Sequence, residues 1–285
     1  MTLSIIMPAH NEASVIRRSL ETLLDGAAAD ELELIVVCNG CRDDTALIAR
    51  SLGPSITVIE TDVPSKANAL NLGDAAAKSY PRIYMDADVI MSIASVRALS
   101  APLMAGTVLA AAPAVNTVFK ADADWSVRAY YKFWMALPFI KEGMMAAGVY
   151  ALSEAGRRKF DRFPDIISDD GFVRLHFAPD ERIEVAEAVS TVVAPSRWAD
   201  LIRIKSRSRL GTYQLQDRFA GLYADEKRTK RYGSALASIL RTPSLYICAI
   251  PFLAISVISR ARAQKQHRSA TPYQWERDQS SRAAS

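Results

Sequence analysis

Short apolar runs alternate with helix-patterned segments through the first third of this chain, and this alternation constrains the fold more than any other feature. The runs at residues 3–7, 32–37, 56–59 and 82–85 have the length and the polar or proline boundaries of buried strands. Between them, apolar residues recur at helical spacing over residues 15–24, 45–52 and 66–79. Strands that alternate with helices pair in parallel, with helices on both faces of the sheet. The sequence therefore predicts an α/β fold with a parallel sheet in its N-terminal part.

Polar side chains stand after or near the carboxyl ends of these strands, where sheets of this kind bind ligands. They are His10, Asn11, Glu12, Asn39, Lys66, Asp86 and Asp88. Two carboxylates one residue apart on an extended backbone point the same way, so Asp86 and Asp88 can converge on one hard cation. The alternative is a pair of solvated turn aspartates at the end of a strand.

Several common nucleotide and metal signatures are absent from the sequence. No Gly-x-Gly-x-x-Gly follows the first strand and no Gly-Lys-Ser/Thr loop occurs, which disfavours a dinucleotide or P-loop site. Cys38 and Cys41 form a C-x-x-C motif between a strand and a helix, so a redox function is one alternative. A zinc site is disfavoured because there is no second C-x-x-C and the 3 histidines are scattered.

Four segments resemble, in order and spacing, the successive N-terminal motifs of family 2 glycosyltransferases. They are SIIMPAHNE (4–12), VCNGCRDDT (37–45), SKANALN (65–71) and the Asp-x-Asp motif DAD (86–88). The resemblance implies a GT-A fold, in which a Rossmann-like nucleotide-binding half has a mixed sheet that continues into an acceptor half. It also implies that the donor is a nucleotide-diphosphate sugar. By this resemblance Pro8, His10 and Glu12 would contact the nucleotide, Asn39 its base, and Lys66 the base or the diphosphate. Asp86 would contact the ribose, and Asp88 would bind Mg²⁺ or Mn²⁺.

The second of these motifs departs from the family pattern. Two aspartates usually stand where this chain has Cys38 and Asn39. Asn39 keeps a hydrogen-bonding side chain without the charge, so we expect a UDP-sugar as the donor. The same comparison places both cysteines on loop positions that the family fills with small polar residues, which disfavours the redox alternative.

Two segments of the second half resemble acceptor-side motifs of the family. Residues 146–152 are similar to the strand that faces the acceptor, with Gly148 allowing close backbone approach. Residues 168–175 resemble the family's Glu-Asp motif, which implies acceptor binding by Asp169 and the catalytic base at Asp170. The alternative is a helix start, since Ser168 or Asp169 is a suitable N-cap; Asp170 could serve in both ways.

Basic residues are concentrated towards the C-terminus. Residues 196–285 hold 17 of the 35 Lys and Arg but 6 of the 31 Asp and Glu, which suggests an anionic partner. We expect one or more of Arg197, Arg207 and Arg209 to face the diphosphate, where a guanidinium suits phosphate oxygens; a solvated basic helix face is the alternative. The Gln of the family's Gln-x-x-Arg-Trp motif is missing, so a processive synthase is not supported.

Residues 244–259 carry no charge and have basic residues on both sides. The run is shorter than the roughly 20 apolar residues of a spanning helix, and positive charge at both ends disfavours crossing. We expect a segment that dips into the anionic cytoplasmic leaflet; the alternative is a buried core helix. Nucleic-acid binding is disfavoured, because the basic residues surround an apolar run instead of interleaving with exposed aromatics.

These observations predict the division of the chain. Residues 1–235 form the glycosyltransferase domain, with a donor half (1–110) and an acceptor half (111–235). Residues 236–268 form the membrane-associating segment of a helical C-terminal tail, and residues 269–285 are disordered. The start of the chain lacks a basic, apolar secretory signal, so we expect a cytoplasmic enzyme peripheral to the inner face of the plasma membrane.

The function predicted is metal-dependent, inverting sugar transfer to an acceptor hydroxyl. The acceptor expected is a saccharide or lipid-linked saccharide in cell-surface polysaccharide synthesis, and inversion is implied by the family resemblance. One alternative is a sugar-nucleotide nucleotidyltransferase, which would normally carry a Gly-rich signature with Arg and Lys after the first strand, unlike this chain. The other is a non-catalytic or redox protein centred on Cys38 and Cys41.

Overall fold

An eight-stranded mixed sheet organises the residues that the structure describes. The structure is a computed structural model, and it describes residues 2–137, 148–229 and 245–269. The strands are β1 (Leu3–Ala9), β2 (Leu32–Asn39), β3 (Ile56–Thr61), β4 (Arg82–Met85), β5 (Ile90–Met91), β6 (Ala110–Val118), β7 (Val149–Leu152) and β8 (Arg182–Val193). Their order across the sheet is β3-β2-β1-β4-β7-β6-β8-β5.

The helices between the strands are named here in chain order. They are α1 (Ile16–Leu24), α2 (Thr45–Ser51), α3 (Lys66–Ala76), α4 (Ile93–Met104), α5 (Trp125–Met135), α6 (Glu154–Arg157), α7 (Asp169–Leu175), α8 (Trp198–Arg218), α9 (Ala220–Thr229) and α10 (Tyr246–Arg268). A short 3-10 helix spans Pro179–Glu181.

The parallel half of the sheet confirms the prediction made from the strand and helix pattern. β1 pairs in parallel with β2 and β4, and β2 pairs in parallel with β3. β7 then pairs antiparallel to both β4 and β6, which makes the sheet mixed. Side chains alternate between two cores: Ile5 and Met7 pack with Leu20 of α1 on one face, and Ile6 packs with Leu70 of α3 on the other.

The structure differs from the sequence prediction at the end of one strand and in elements that were not predicted. β1 does not end at Pro8 but continues to Ala9, because its pairing with β4 stops at Ile6 and Pro8 needs no donor on that side. β8 and α4 were not predicted. β8 mixes charged and apolar residues without regular alternation, and α4 contains Pro102, which disguises its helical pattern.

The apolar C-terminal segment forms α10, which is longer than residues 244–259 and contains Pro251 within the helix. It packs against α5 and α8: the ring centroid of Phe252 lies 4.5 Å from that of Phe133, and Ser259 Oγ donates to the Ile202 carbonyl at 3.5 Å. In the described part of the chain, α10 is the one helix long and apolar enough to cross a membrane by length and composition. The predicted disordered tail beyond Ser269 and the start of the predicted strand at 146–147 lie outside the described residues.

Candidate active site

The loops that follow β1 and β2 are joined by hydrogen bonds at the carboxyl ends of these strands. The buried Asn39 donates from Nδ2 to the Ala9 carbonyl at 2.9 Å, and His10 Nδ1 is hydrogen-bonded to the Asn39 carbonyl. Pro8 is buried one residue before Ala9, and Glu12 is buried where its carbonyl accepts the first amides of α1. The predicted nucleotide and base residues therefore share one rim of the sheet.

The structure corrects the expectation that both cysteines of the C-x-x-C motif lie in a loop: Cys38 lies in β2, and Cys41 lies in the loop that follows. Cys41 Sγ lies 3.4 Å from the Ala9 carbonyl and accepts the Asn11 amide at 3.3 Å. A hydrogen bond from Cys38 lowers the pKa of Cys41 to about 7, and Cys38 itself is buried in the core. Neither thiol is in a disulfide, and the contacts of Cys41 join the loops that follow β1 and β2.

Lys66 brings together acidic residues from two segments that are distant in the sequence. It is the first residue of α3, whose N-cap Ser65 accepts the Asn68 amide at 3.2 Å. Lys66 Nζ lies 2.7 Å from Asp86 Oδ1 and 2.9 Å from Asp169 Oδ1. Burial alone would lower the pKa of Lys66, but the charges of Asp169 and Asp86 outweigh it and raise this pKa. The ammonium is therefore charged and bridges two carboxylates.

Gly148 shapes the backbone around Asp86. Its carbonyl accepts the Asp86 amide at 2.8 Å, which extends the pairing of β4 with β7 by one bond. Its φ is +82°, and a Cβ there would lie 2.8 Å from Val89 Cγ2 and 3.2 Å from Asp86 Oδ2. Both the backbone conformation and the position of the Asp86 carboxylate require glycine.

Asp88, the predicted metal ligand, follows two residues later and is half-buried. Within the described ranges, no group of three His, Cys, Asp or Glu side chains is arranged to hold a metal ion. Mg²⁺ and chemically similar Mn²⁺ commonly keep waters and substrate phosphates as ligands, so one or two carboxylates suffice. The oxygen donors at this rim fit such an ion.

The first turn of α7 carries the other predicted acids. Ser168 occupies the N-cap position, as predicted, although its side chain makes no capping bond. Asp170 Oδ1 instead accepts the Gly171 amide at 2.7 Å and the Ser168 hydroxyl at 2.9 Å. Burial raises the pKa of Asp169, and the charges of Asp170 and Asp86 act in the same direction while Lys66 opposes them.

Tyr150 is a site residue that the sequence analysis missed. Its hydroxyl donates to Asp169 Oδ2 at 3.2 Å, while Lys66 holds the other oxygen. The Tyr150 ring stacks on Tyr84 at 5.0 Å, and the Tyr84 hydroxyl donates to Asp74 Oδ1 at 2.5 Å. The sequence could have indicated Tyr150, because it follows Gly148 by two residues in the segment of β7 and alternate residues of a strand share one face.

The three predicted arginines lie in different surroundings. Arg197 pairs with Asp122 at 3.2 Å and Asp124 at 3.1 Å, at the start of α8. Arg207 is half-buried and lies one turn before Gly211, where a Cβ would come within 2.9 Å of Ser168 Cβ. It therefore shares the face of α8 that packs beside α7.

Arg209 lies two residues after Arg207 in α8, and two residues along a helix put side chains on nearly opposite sides of it. The structure thus brings Lys66, Asp86 and Asp169 into direct contact, with Asp88 and Asp170 adjacent to them in sequence. It separates Arg197 and Arg209 from one another. Diphosphate contact by any of the three arginines stays a prediction.

Solved structures with the same fold belong to sugar-transferring enzymes. The mannosyltransferase PcManGT from Pyrobaculum calidifontis, in complex with GDP-Man and Mn²⁺, is 20% identical with a TM-score of 0.60, over 95% of this chain and 76% of that one. Glucosyl-3-phosphoglycerate synthase from Mycobacterium tuberculosis, in complex with Mn²⁺, UDP-glucose and phosphoglyceric acid, is 23% identical with a TM-score of 0.53, over 76% of this chain and 79% of that one. Among curated protein sequences, none matches this chain.

The sheet is mixed, with acidic side chains at one rim and with β7 antiparallel to its neighbours. Together with the structural neighbours, this identifies a GT-A fold and confirms the predicted fold. The family model of glycosyl transferase family 2 matches residues 4–151, just over half of the chain. The chain therefore belongs to glycosyl transferase family 2 and is a glycosyltransferase.

Proposed function

We propose that this enzyme transfers a sugar from a nucleotide-diphosphate sugar to an acceptor hydroxyl, with inversion at the anomeric carbon and with Mg²⁺ or Mn²⁺. The observation that carries the proposal is the Lys66 bridge between Asp86, at the end of β4, and Asp169, at the start of α7. This bridge joins the acids of the donor half to the helix that carries Asp170.

On the donor side, Asp88 would hold the divalent ion, with Asp86 on the ribose or on a metal-bound water. The ion, when bound, neutralises charge that develops on the leaving diphosphate. Lys66 presents a partly buried, charged ammonium beside the same acids. Arg207, on the face of α8 next to α7, adds a guanidinium that suits phosphate oxygens.

On the acceptor side, Asp170 is the proposed general base. Its Oδ1 is held by the Gly171 amide and the Ser168 hydroxyl, which leaves Oδ2 to take the proton of the attacking hydroxyl. Asp169, fixed by Tyr150 and Lys66, would orient the acceptor beside it. Gly148 keeps the neighbouring backbone open to a close approach.

The proposed base of the donor is uracil, with guanine as the alternative. The structural neighbours are complexed with GDP-mannose in one case and UDP-glucose in the other. Asn39 is held by the Ala9 carbonyl through its amide nitrogen, which turns its amide oxygen away from that contact. Uracil and guanine both carry a ring N–H that an amide oxygen can accept.

The test combines donor binding with turnover. Wild-type protein with Mn²⁺ should be stabilised against heat by UDP-glucose or GDP-mannose and should hydrolyse one of them slowly. Asp88→Asn should lose the Mn²⁺-dependent stabilisation, whereas Asp170→Asn should keep it and lose about 10²- to 10⁴-fold in turnover. Asp180→Asn, at an exposed acid of the 3-10 helix, is the control. Full turnover in both active-site variants would contradict the proposal.

We further propose that the enzyme works at the cytoplasmic face of the plasma membrane on a saccharide or lipid-linked saccharide of surface-polysaccharide synthesis. One face of α10 is buried, but its other face exposes a stripe of large apolar side chains. They are Tyr246, Ile247, Ile250, Leu253, Val257 and Ile258. The last turns expose Arg260, Arg262, Lys265 and Arg268, which complement anionic headgroups.

Vesicle flotation tests the membrane proposal. The protein should float with phosphatidylcholine–phosphatidylglycerol vesicles, and Ile250→Glu should weaken this binding by about tenfold or more, because one buried Ile contributes about 1.5–3 kcal/mol. Leu47→Glu is the matched control, since Leu47 of α2 is 67% exposed and Ile250 is 71% exposed. If the apolar stripe is covered by a second copy instead, Ile250→Glu will halve the molar mass in solution and the wild type will not float.

A further inference from the structure

The segment that leads into α7 is held by a side chain of α3. Residues 161–168 form neither a helix nor a strand. Asn71 of α3 makes two hydrogen bonds with the backbone of Phe163: its Nδ2 donates to the carbonyl at 2.9 Å, and its Oδ1 accepts the amide at 2.9 Å. Phe163 is only 1% exposed, so one side chain satisfies both backbone groups of a buried residue. We call these two bonds the Asn71 clamp.

We propose that Asn71 is a positioning residue that sets the place of the general base Asp170 relative to the donor site, a role that rests on the sugar transfer proposed above. Lys66, the first residue of α3, contacts Asp86 and Asp169. Asn71 lies five residues further along the same helix. One helix therefore holds both the acids of the donor site and the segment that leads to the base.

α3 is a fixed reference for this segment because it packs directly on the sheet. Leu70 is buried against Ile6 of β1, and a Cβ on Gly73 would lie 2.5 Å from Ile6 Cγ2. So close a contact leaves α3 no room to approach the sheet further. A side chain on such an element holds its partner more precisely than a side chain on a loop.

α8 holds the same segment at other positions. Gln214 Oε1 accepts the Ile167 amide at 2.9 Å, and Arg218 Nη1 donates to the Asp165 carbonyl at 2.7 Å. Ser65, the N-cap of α3, donates its hydroxyl to Asp165 Oδ1 at 3.3 Å. Because these bonds do not involve the Asn71 clamp, its loss should shift the segment without detaching it.

Aromatic contacts connect the clamp to Asp169 by a second route. The ring centroid of Phe163 lies 5.1 Å from that of Tyr84, which stacks on Tyr150 at 5.0 Å. The Tyr150 hydroxyl donates to Asp169 Oδ2 at 3.2 Å. Close-packed side chains transmit strain to one another. A displacement of Phe163 would therefore reach Asp169 through these rings as well as along the chain.

A purely structural role is the alternative, since a buried amide and carbonyl need partners wherever they lie. That role predicts lower stability and an unchanged reaction. The positioning role predicts lower turnover with unchanged donor affinity. Catalytic groups act within about 0.5 Å of their productive position, whereas the contact of Lys66 with Asp86 does not pass through residues 161–168.

The test compares the wild type with Asn71→Leu and Ser4→Ala in the full chain. Leucine is similar in size to asparagine and makes neither bond of the clamp. Ser4 is the matched control because its buried hydroxyl also serves both backbone groups of one residue, donating to the Ser79 carbonyl at 2.9 Å and accepting the Ser79 amide at 3.1 Å. It lies near the amino end of β1, at the opposite edge of the sheet from the site.

Three quantities are measured at a temperature where all the proteins are folded. The first is the dissociation constant of the donor with Mn²⁺, by calorimetry, using whichever of UDP-glucose and GDP-mannose the wild type hydrolyses. The second is kcat for hydrolysis of that donor. The third is hydrogen exchange of residues 161–168, by mass spectrometry.

We expect Asn71→Leu to lower kcat about 10- to 100-fold and to change the donor dissociation constant by less than about twofold. Hydrogen exchange of residues 161–168 should become faster in this variant alone. Ser4→Ala should lower the Tm and leave kcat unchanged. If Asn71→Leu does not fold, Asn71→Asp takes its place, because it keeps an acceptor for the Phe163 amide; its kcat should fall about tenfold.

Three outcomes would overturn the positioning role while sugar transfer stands. They are a kcat of the Asn71 variant equal to that of Ser4→Ala, a loss of donor affinity as large as the loss of kcat, and unchanged hydrogen exchange of residues 161–168. Failure of the proposed function gives a different result, because the wild type itself would then hydrolyse neither donor. In that case the positioning role fails with it.

Discussion

Lys66 Nζ lies 2.9 Å from Asp169 Oδ1, so the first residue of α3 is ion-paired with the first residue of α7. α3 packs against the parallel part of the sheet, whereas α7 follows the antiparallel strand β7. The same ammonium contacts Asp86 at 2.7 Å. A change in the charge around Asp86 will therefore act through this ammonium on the helix that carries Asp170.

Removal of Lys66 should destabilise the protein through Asp169. Asp169 is 5% exposed, so Lys66→Met would leave a buried carboxylate with only the Tyr150 hydroxyl and lower the free energy of unfolding by about 3 kcal/mol. In the double variant with Asp169→Asn the two losses should be less than additive, which urea denaturation of all four proteins will measure. Lys78→Met, at an exposed lysine, is the control. Strict additivity would show that the pair does not stabilise the fold.

A methyl group at Gly148 should weaken donor binding beyond its effect on stability. Gly148→Ala imposes strain at φ +82° and places Cβ 2.8 Å from Val89 Cγ2 and 3.2 Å from Asp86 Oδ2. Gly106→Ala is a matched control, because Gly106 has φ +69° and open space around its Cβ. Both should lose about 1–2 kcal/mol of stability. Only Gly148→Ala should weaken Mn²⁺-dependent donor binding, measured by calorimetry; equal donor affinity in the two variants would contradict this.

Asp74 should make the free energy of unfolding depend on pH in the acid range. It is held by Arg157 at 2.8 Å and Arg82 at 2.7 Å beneath the Tyr84–Tyr150 stack. Burial acts to raise the pKa of Asp74, but its hydrogen bonds to Arg157, Tyr84 and Arg82 outweigh it and lower this pKa below its ordinary value of 3.8. The stabilisation is thus present above pH 3.8 and lost as the pH falls through the lowered value.

Urea denaturation between about pH 2 and 6 will check this dependence. The wild type should lose more stability than Asp74→Asn as the pH falls, and identical slopes would exclude Asp74 as the cause. At neutral pH, Arg157→Met should cost about 3 kcal/mol, because it removes one partner of a buried pair. Arg158→Met, at an arginine whose side chain is 74% exposed, should cost about 0.5 kcal/mol or less.

Lys205 should also make stability rise with pH, but in the alkaline range. Burial and the Arg209 charge lower its pKa from 10.5 to about 8, so between these values the unfolded chain binds more protons than the folded one. Stability contributed by this group therefore rises with pH from about 8 to 10.5. Tyr130, which Lys205 faces on α5, stays neutral there because burial raises its pKa to about 12.

The measurement is the Tm of the wild type minus that of Lys205→Met, followed over the same pH range. The subtraction removes the titration of other groups, and the difference should become more positive as the pH rises. A flat difference would mean that Lys205 titrates normally. Lys132→Met, at an exposed lysine of α5, should show that flat difference.

The parallel half of the fold could be predicted from sequence because its signals are local. The strand runs of β1 to β4 and the helices between them were recognised from apolar spacing over ten residues or so, and the parallel pairing followed from their alternation. β8 was missed because its burial depends on β6 and α4, which lie far away in sequence. Its own residues alternate too irregularly to indicate a strand.

The candidate site divides in the same way. The family motifs named Lys66, Asp86, Asp88, Asp169 and Asp170, and the rim position of the first three followed from the rule for parallel sheets. Contact between Lys66 and Asp169 could not be predicted, since an ion pair between distant segments depends on how β7 and α7 fold back. Tyr150 and Asp74 were missed for the same reason: each acts through a partner from another segment.

The sequence by itself determined the parallel half of the sheet, the acids and lysine at its rim, and membership of glycosyl transferase family 2, because these depend on residue type and short-range spacing. Only the tertiary structure decided which charges meet. Lys66 joins Asp86 to Asp169, Arg197 is paired with Asp122 and Asp124, and Lys205 lies over the rings of Tyr130, Tyr131 and Trp134. Electrostatic partners are set by distances of a few ångströms between segments remote in sequence, and only the folded chain defines such distances.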